Sequence, residues 1–232
     1  PATIERFKDW LRARYRSLEA LNQTWARAFG YWEDVNPPRR HGNFADWLDW
    51  FRFWFDNLEQ QQRWRYNVIR VADPERFCMS HSGGVPPILA RIEAGINNFS
   101  LAKPVDLWGT SMAPLCQNWT TAEAAGCCDV TRSAAGGKTW WVSEMQAGMA
   151  HYSGLLKAAR PEPRHIRSSN WLAVAYGAKA IVYWCYLSER TGNEAPGYGL
   201  IRTSGETTPR AAEAARTWQM IKRFEPLIMQ HT

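Results

Sequence analysis

Apolar side chains at Ile4, Phe7, Leu11, Leu18, Leu21 and Trp25 recur every three to four positions, which predicts a helix with one buried face from Ile4 to about Phe29. The run "NPPRRHGN" interrupts it. A second helix is predicted from near Phe44 through "DWLDWFRFWFDNLEQQQRWRYNVIRV", and Asp73-Pro74 ends it because proline cannot continue the hydrogen-bond ladder. Its first half is apolar on nearly every side, so neighbours are expected to clasp it from several directions.

Beyond Pro74 the pattern shortens and repeats. "RFCMSHSGG" reads as a strand and a glycine loop, followed by a helix around Ile88 to Phe99. "PVDLWGTS" is a strand before a helix around Thr121 to Ala135, and "KTWWVSEMQAG" is a strand, Thr139 to Val142, before a helix near Ile166 to Gly177. "KAIVYWCYLSE" is a strand and a long loop, and Pro209 opens a last helix at its favoured first-turn position. Strands alternating with helices imply an α/β class with a parallel sheet, and uniformly apolar strands imply that both faces are covered. Only four such units fit, in residues 73–232, after two helices in residues 1–72. A closed (β/α)8 TIM barrel needs eight units and about 250 residues. The chain therefore reads as a single partial barrel domain, the second half of such a barrel.

Composition narrows the partners. Of 232 residues, 45% are hydrophobic and 22% charged, as in ordinary globular proteins. The net charge of +6 comes from 28 Lys and Arg scattered among 22 acids without a basic run, so no nucleic-acid partner is expected. No stretch approaches the ~20 apolar residues of a membrane span, and "PATIERFKDW" does not read as a signal peptide. Cys78, Cys116, Cys127, Cys128 and Cys185 lack C-x-x-C spacing and read as reduced thiols of a cytoplasmic protein, not as a disulfide frame or a metal site. No cofactor is expected. The 14 tryptophans exceed what one core requires, and their flat apolar faces also suit sugar stacking.

In a barrel the chemistry sits at the carboxyl-terminal ends of the strands. Those ends offer His81, then Asp106 and Trp108, then Glu144, then Trp184, Tyr186 and Glu189. Acids and aromatics on one rim suit a glycosidase, in which one carboxylate attacks the anomeric carbon, a second acid protonates the leaving oxygen, and aromatic faces stack on the sugar. Glu144 is the strongest candidate, because a strand delivers it and Trp140, Trp141 and Met145 flank it; the plainer reading is a solvated or Arg-paired carboxylate. Two other motifs read as structural. "AAGGKTW" lacks the first glycine and the preceding strand of a phosphate loop, so it is a turn into the next strand. "GTSMA" has the spacing of a nucleophile elbow, but Pro114 and "CQNW" follow where a helix should begin.

"WWVSEMQAG", together with "RSSNWLAVAYGAKAIVYWCYLSERTGNEAPGYGLIRTSGETTPRAAE", resembles the carboxyl-terminal half of the catalytic barrel of glycoside hydrolase family 42, the β-galactosidase group of retaining glycosidases. "FKDWLRARYRSLEALNQTWARAFGYWEDVNPP" is similar to the family's run after its fourth strand, and "ADPERF" to the turn before its fifth. The resemblance implies a carbohydrate substrate with Glu144 as nucleophile, Glu194 binding a sugar hydroxyl, and Tyr152 where the family commonly packs a Trp on the sugar. Trp108, Trp184 and His81 complete the expected substrate-binding set. The family's His near Glu194 is not matched, since Pro196, Gly197 and Tyr198 stand there. The family's acid/base is a Glu after Asn at the end of the fourth strand, upstream of Pro1, so the chain alone is expected to be catalytically incomplete. The competing expectation is a non-catalytic carbohydrate-binding or structural half-barrel. Either way an isolated half-barrel exposes two strand edges, which invites homo-oligomerisation.

Overall fold

Arg16 divides the first predicted helix in two. Its φ of 64° lies in the left-handed region, and Ser17 caps the restart by accepting from Ala20 N at 3.1 Å. In the computed structural model, which describes residues 2–39, 44–83, 95–152, 156–157 and 159–230 but not the side chains of 151–152 and 156–157, this gives α1 (Ala2–Tyr15) and α2 (Leu18–Trp25). Both pack on α3 (Phe44–Ala72), which runs as its pattern predicts. Phe7, Leu11, Leu21, Trp25, Val35 and Phe53 form their shared core. Within it Trp50 stacks on Phe53 with ring centroids 5.6 Å apart. Trp50, Phe53 and Trp54 of α3 therefore serve this helical core.

The start of α3 is not clasped on all sides. Phe44 and Leu48 are exposed, while Asp46 and Asp49 are buried. Asp49 accepts from Tyr15 Oη and from Trp25 Nε1 at 2.9 Å, and pairs with Arg14 Nε at 3.2 Å and Arg52 Nη1 at 3.5 Å. A buried carboxylate is tolerated because these donors replace its lost water. Three helices are tied at that one side chain.

The sheet is parallel, in the order β1 (Met79–Ser82), β2 (Leu107–Met112), β3 (Trp140–Gln146), β6 (Ala180–Trp184). An antiparallel pair, β4 (His151–Tyr152) with β5 (Leu156–Lys157), interrupts the third unit and was not expected. The helices are α4 (Asn98–Leu101), α5 (Thr121–Ala135), α6 (Pro163–Ala175) and α7 (Pro209–Gln230). Most of the predicted helix from Ile88 to Phe99 lies outside the described residues; where the description resumes, residues 95–97 are not helical, and Asn97, extended, caps the separate short helix α4 by accepting from Phe99 N at 3.1 Å. At α5, Thr120 and Glu123 form a reciprocal capping box, and Gly136 closes the helix in the left-handed region at φ 61°.

Each strand presents two faces. Trp108, Met112, Trp140, Val142 and Met145 pack against Ala124, Cys127 and Cys128 of α5 and Ala173 of α6. The opposite face carries His81, Gly109, Ser111 and Glu144, with Val182 and Trp184, which are 47% and 40% exposed. Among the described residues, therefore, helices cover one face of the sheet only, and not both as the apolar strands implied.

This division corrects the expected role of Trp108. It lies near the amino end of β2, 1% exposed and within the helix-facing core, so it cannot stack on a sugar at the carboxyl rim. Asp106 likewise precedes β2. Its carboxylate accepts from Cys78 N at 2.7 Å, Tyr66 Oη at 3.0 Å and Arg70 Nη2 at 2.5 Å, tying the end of α3 to the base of the sheet. The strand starts two residues later than its apolar run, because Asp106 is consumed by this anchor.

Candidate active site

Glu144 does not end its strand, which continues to Gln146. Its position comes from a bulge. Val142 pairs with Thr110 and Glu144 with Ser111, so β3 spends one more residue than β2; against β6 it also gains one, from Val142 with Ile181 to Met145 with Tyr183. An extra residue breaks the two-residue alternation. Ser143 and Glu144 therefore both face the open side, while Val142 and Met145 point into the helix-facing core.

The sequence on β2 makes room for this. A Cβ on Gly109 would lie 2.0 Å from Ser143 Oγ and 3.1 Å from His81 Cβ, so glycine avoids a clash where the three strands meet. One pleat further, the Ser111 hydroxyl donates to Glu144 Oε2 and also lies 3.3 Å from His81 Nδ1. His81 Nε2 stands 4.0 Å from Glu144 Oε1. Three strands thus contribute one side chain each to a polar cluster.

Beside the cluster opens a cavity of about 220 Å³, lined by Ser111, Glu144, Gln146, Trp184, Glu194 and Tyr198 among others. Trp184 Nε1 donates to Glu194 Oε2 at 2.8 Å, which fixes the loop carboxylate against the last strand. Gln146 accepts from Cys116 N at 3.0 Å and donates to Gly148 O at 3.1 Å, so its amide orientation is set. Tyr198 Oη lies 3.9 Å from Cys116 Sγ, and burial, then Cys116 and then Glu194, push its phenol above its usual range. Burial, together with Glu189 and Glu194, also raises the Cys185 thiol. The loop carrying Tyr198 can approach because Gly148 lacks a Cβ, which would meet Tyr198 C at 2.6 Å.

Of the residues expected from the sequence, Glu144, Glu194 and Trp184 line this one cavity, and His81 stands behind Glu144. Trp108 is not among them. Tyr152 lies on β4, and its side chain falls outside the description. Tyr186 is exposed at the start of the long loop. Sequence reasoning missed Ser111, Gln146 and Cys116. For Ser111 a signal existed: it alternates with Gly109, but the same residues read as a failed elbow motif. Among the described residues no group of three metal-ligating side chains occurs, and no helix is long and apolar enough to cross a membrane.

Fold and cavity define a class: part of a (β/α)8 barrel with acids and aromatics at the carboxyl-terminal half of its strands, where barrel enzymes carry their chemistry. The chain belongs to glycoside hydrolase family 42, the beta-galactosidase family, whose model matches residues 1–224. It is 26% identical over 242 residues to a beta-galactosidase of Thermus thermophilus, covering 93% of this chain and 36% of that protein. It spans about a third of the length of the curated relatives it matches. Among solved structures, a beta-galactosidase of Halorubrum lacusprofundi superposes with a TM-score of 0.80 at 22% identity, over 94% of this chain and 35% of that one. A family 42 exo-carrageenase of Bacteroides ovatus superposes with a TM-score of 0.69 at 18% identity, over 97% and 33%. The fold is common to both, and so does not by itself select the sugar.

Proposed function

We propose that this chain supplies the nucleophile half of a retaining glycoside hydrolase acting on β-galactosides or related β-glycosides. The observation that carries the reading is the placement of Glu144: a carboxylate on a rigid strand, bonded by Ser111 and opening into a cavity shared with Trp184 and Glu194. In this reading Glu144 attacks the anomeric carbon, and the bond to the leaving oxygen breaks as that oxygen is protonated. Water then hydrolyses the glycosyl-enzyme. Ser111 holds the attacking carboxylate in line, Glu194 accepts from a sugar hydroxyl, and Trp184 offers its ring face to the sugar. The acid/base carboxyl, needed about 5 Å from the nucleophile, is assigned to a Glu in the part of the family's barrel that this chain does not span. Tyr152 remains in the proposal as a sugar-packing residue.

The test is Glu144→Ala in the full-length protein. Turnover of 4-nitrophenyl β-galactoside is expected to fall on the order of a thousandfold or more. Added azide should restore cleavage and yield the α-galactosyl azide, because the small anion fills the space of the lost carboxylate and attacks from its side. Unchanged turnover, or a β-azide product, would overturn the assignment of Glu144.

One observation favours a second reading, a non-catalytic galactoside-binding protein. The only other carboxylate lining the cavity among the described residues, Glu194, is already engaged by Trp184 Nε1. Binding without hydrolysis by the full-length protein would support that alternative.

A further inference from the structure

Tyr198 is a wall of two cavities. One is the Glu144 cavity; the other, of about 550 Å³, lies between the residues preceding α6, the loop after β6 and the first turn of α7. Arg160, Arg202 and Arg210 line this second cavity, and no carboxylate does among the described residues.

The hydroxyls around it are largely committed. Thr208 donates to Leu200 O at 2.6 Å and accepts from Ala211 N, and Ser188 donates to Ile201 O at 3.4 Å. The guanidinium groups are the available donors. Arg210 is held in place by bonds from Nε to Ala147 O and from Nη2 to Gly199 O, both 2.9 Å. Burial, then Arg160 and then Arg202, lower its affinity for its proton, the mark of cations crowded together without enough counter-charge. Arg160 makes no ion pair among the described residues, and Arg202 meets only the exposed Glu206, at 3.5 Å. The 22-residue helix α7 begins at the same wall with Pro209 and adds its positive end. A free inorganic anion would fill a small part of this volume, whereas a sugar ring bearing an anion matches it.

We propose that this cavity is a subsite for an oxyanion, a sulfate ester or a carboxylate, carried by a sugar residue adjacent to the one held at Glu144. The inference rests on the glycosidase reading and narrows its substrate class to acidic saccharides. Tyr198, common to both walls, lies where the two sugar residues would join.

The experiment compares a sulfated galactan oligosaccharide with its chemically desulfated counterpart on the full-length protein, by kcat/KM and by calorimetric binding to the Glu144→Gln variant. The sulfated ligand should be preferred by about tenfold or more, as for a charge pair in a partly desolvated site. Arg160→Gln with Arg202→Gln should abolish that preference and leave the desulfated ligand unaffected, and the corresponding double Lys variant should retain it. Arg210 is left intact because its backbone bonds hold the loop. Equal handling of both ligands by the wild type, or equal losses for both in the Gln variant, would overturn the inference. Inorganic sulfate binding as tightly as the sulfated oligosaccharide would also overturn it, since the site would then serve a free anion. Failure to bind or cleave either ligand would strike the glycosidase reading itself, whereas cleavage without sulfate preference strikes only this one.

Discussion

The Ser111 hydroxyl donates to Glu144 Oε2 across the β2–β3 pair, and the two residues are register partners just past the bulge. The bond therefore links a carboxylate re-aimed by one extra residue to the neighbouring strand, and His81 backs the same hydroxyl from β1 at 3.3 Å. Without a donor here, a carboxylate on a bulged strand would be free to choose among rotamers.

Removing that donor should impair chemistry more than folding. If Glu144 is the nucleophile, Ser111→Ala in the full-length protein is expected to lower kcat/KM by about ten- to a hundredfold, the scale of a hydrogen bond to a charged group. Ser111→Thr, which keeps a hydroxyl, should recover part of the loss. Steady-state kinetics beside urea unfolding would check this; an unchanged kcat/KM in Ser111→Ala contradicts it.

Gly109→Ala should destabilise the sheet, since its Cβ would fall 2.0 Å from Ser143 Oγ. A cost of about 1–3 kcal/mol is expected from overpacking. Because the clash is chiefly with one hydroxyl, adding Ser143→Ala should recover much of it. A double-mutant cycle by urea denaturation measures this, and strictly additive effects would count against the contact.

Asp49 offers a test far from the cavity. Asp49→Ala would remove the acceptor shared by Tyr15 Oη and Trp25 Nε1, in a region where Asp49 itself is 1% exposed. A loss of about 3–5 kcal/mol is expected, as when one partner of a buried charge network is removed. Chemical denaturation monitored by tryptophan fluorescence reads it directly.

Acid should weaken the base of the sheet. The Cys78 N–H, then Tyr66 and Arg70, hold the Asp106 carboxyl below its usual range, and Arg167 and Arg216 do the same for Glu213. A carboxylate whose pKa is depressed in the folded state stabilises fully above its unfolded value, near 4, and that contribution is lost as pH falls through the folded value. Urea midpoints should therefore drop below about pH 4, and Asp106→Asn should flatten that dependence. An identical acid limb in the variant would refute Asp106's share.

How much was legible follows from which signals are local. Helix α5 could be read to the residue because its ends are written in Thr120, Glu123 and Gly136, and α7 because Pro209 sits at its first turn. The bulge could not be read, since "WWVSEM" is apolar enough that no alternation shows which residues share a face. The reversal of Arg16 was likewise hidden, because Leu11 and Leu18 keep helical spacing across it.

The sequence by itself determined the α/β class, the parallel order of the units and the family, because periodicity, capping and motif are properties of neighbours along the chain. Tertiary structure alone decided that Trp108 turns to the helices and Ser111 to Glu144, and that Arg160, Arg202 and Arg210 meet around one cavity. Those facts depend on strand register and loop closure between distant segments, where a shift of one residue exchanges the two faces of a strand.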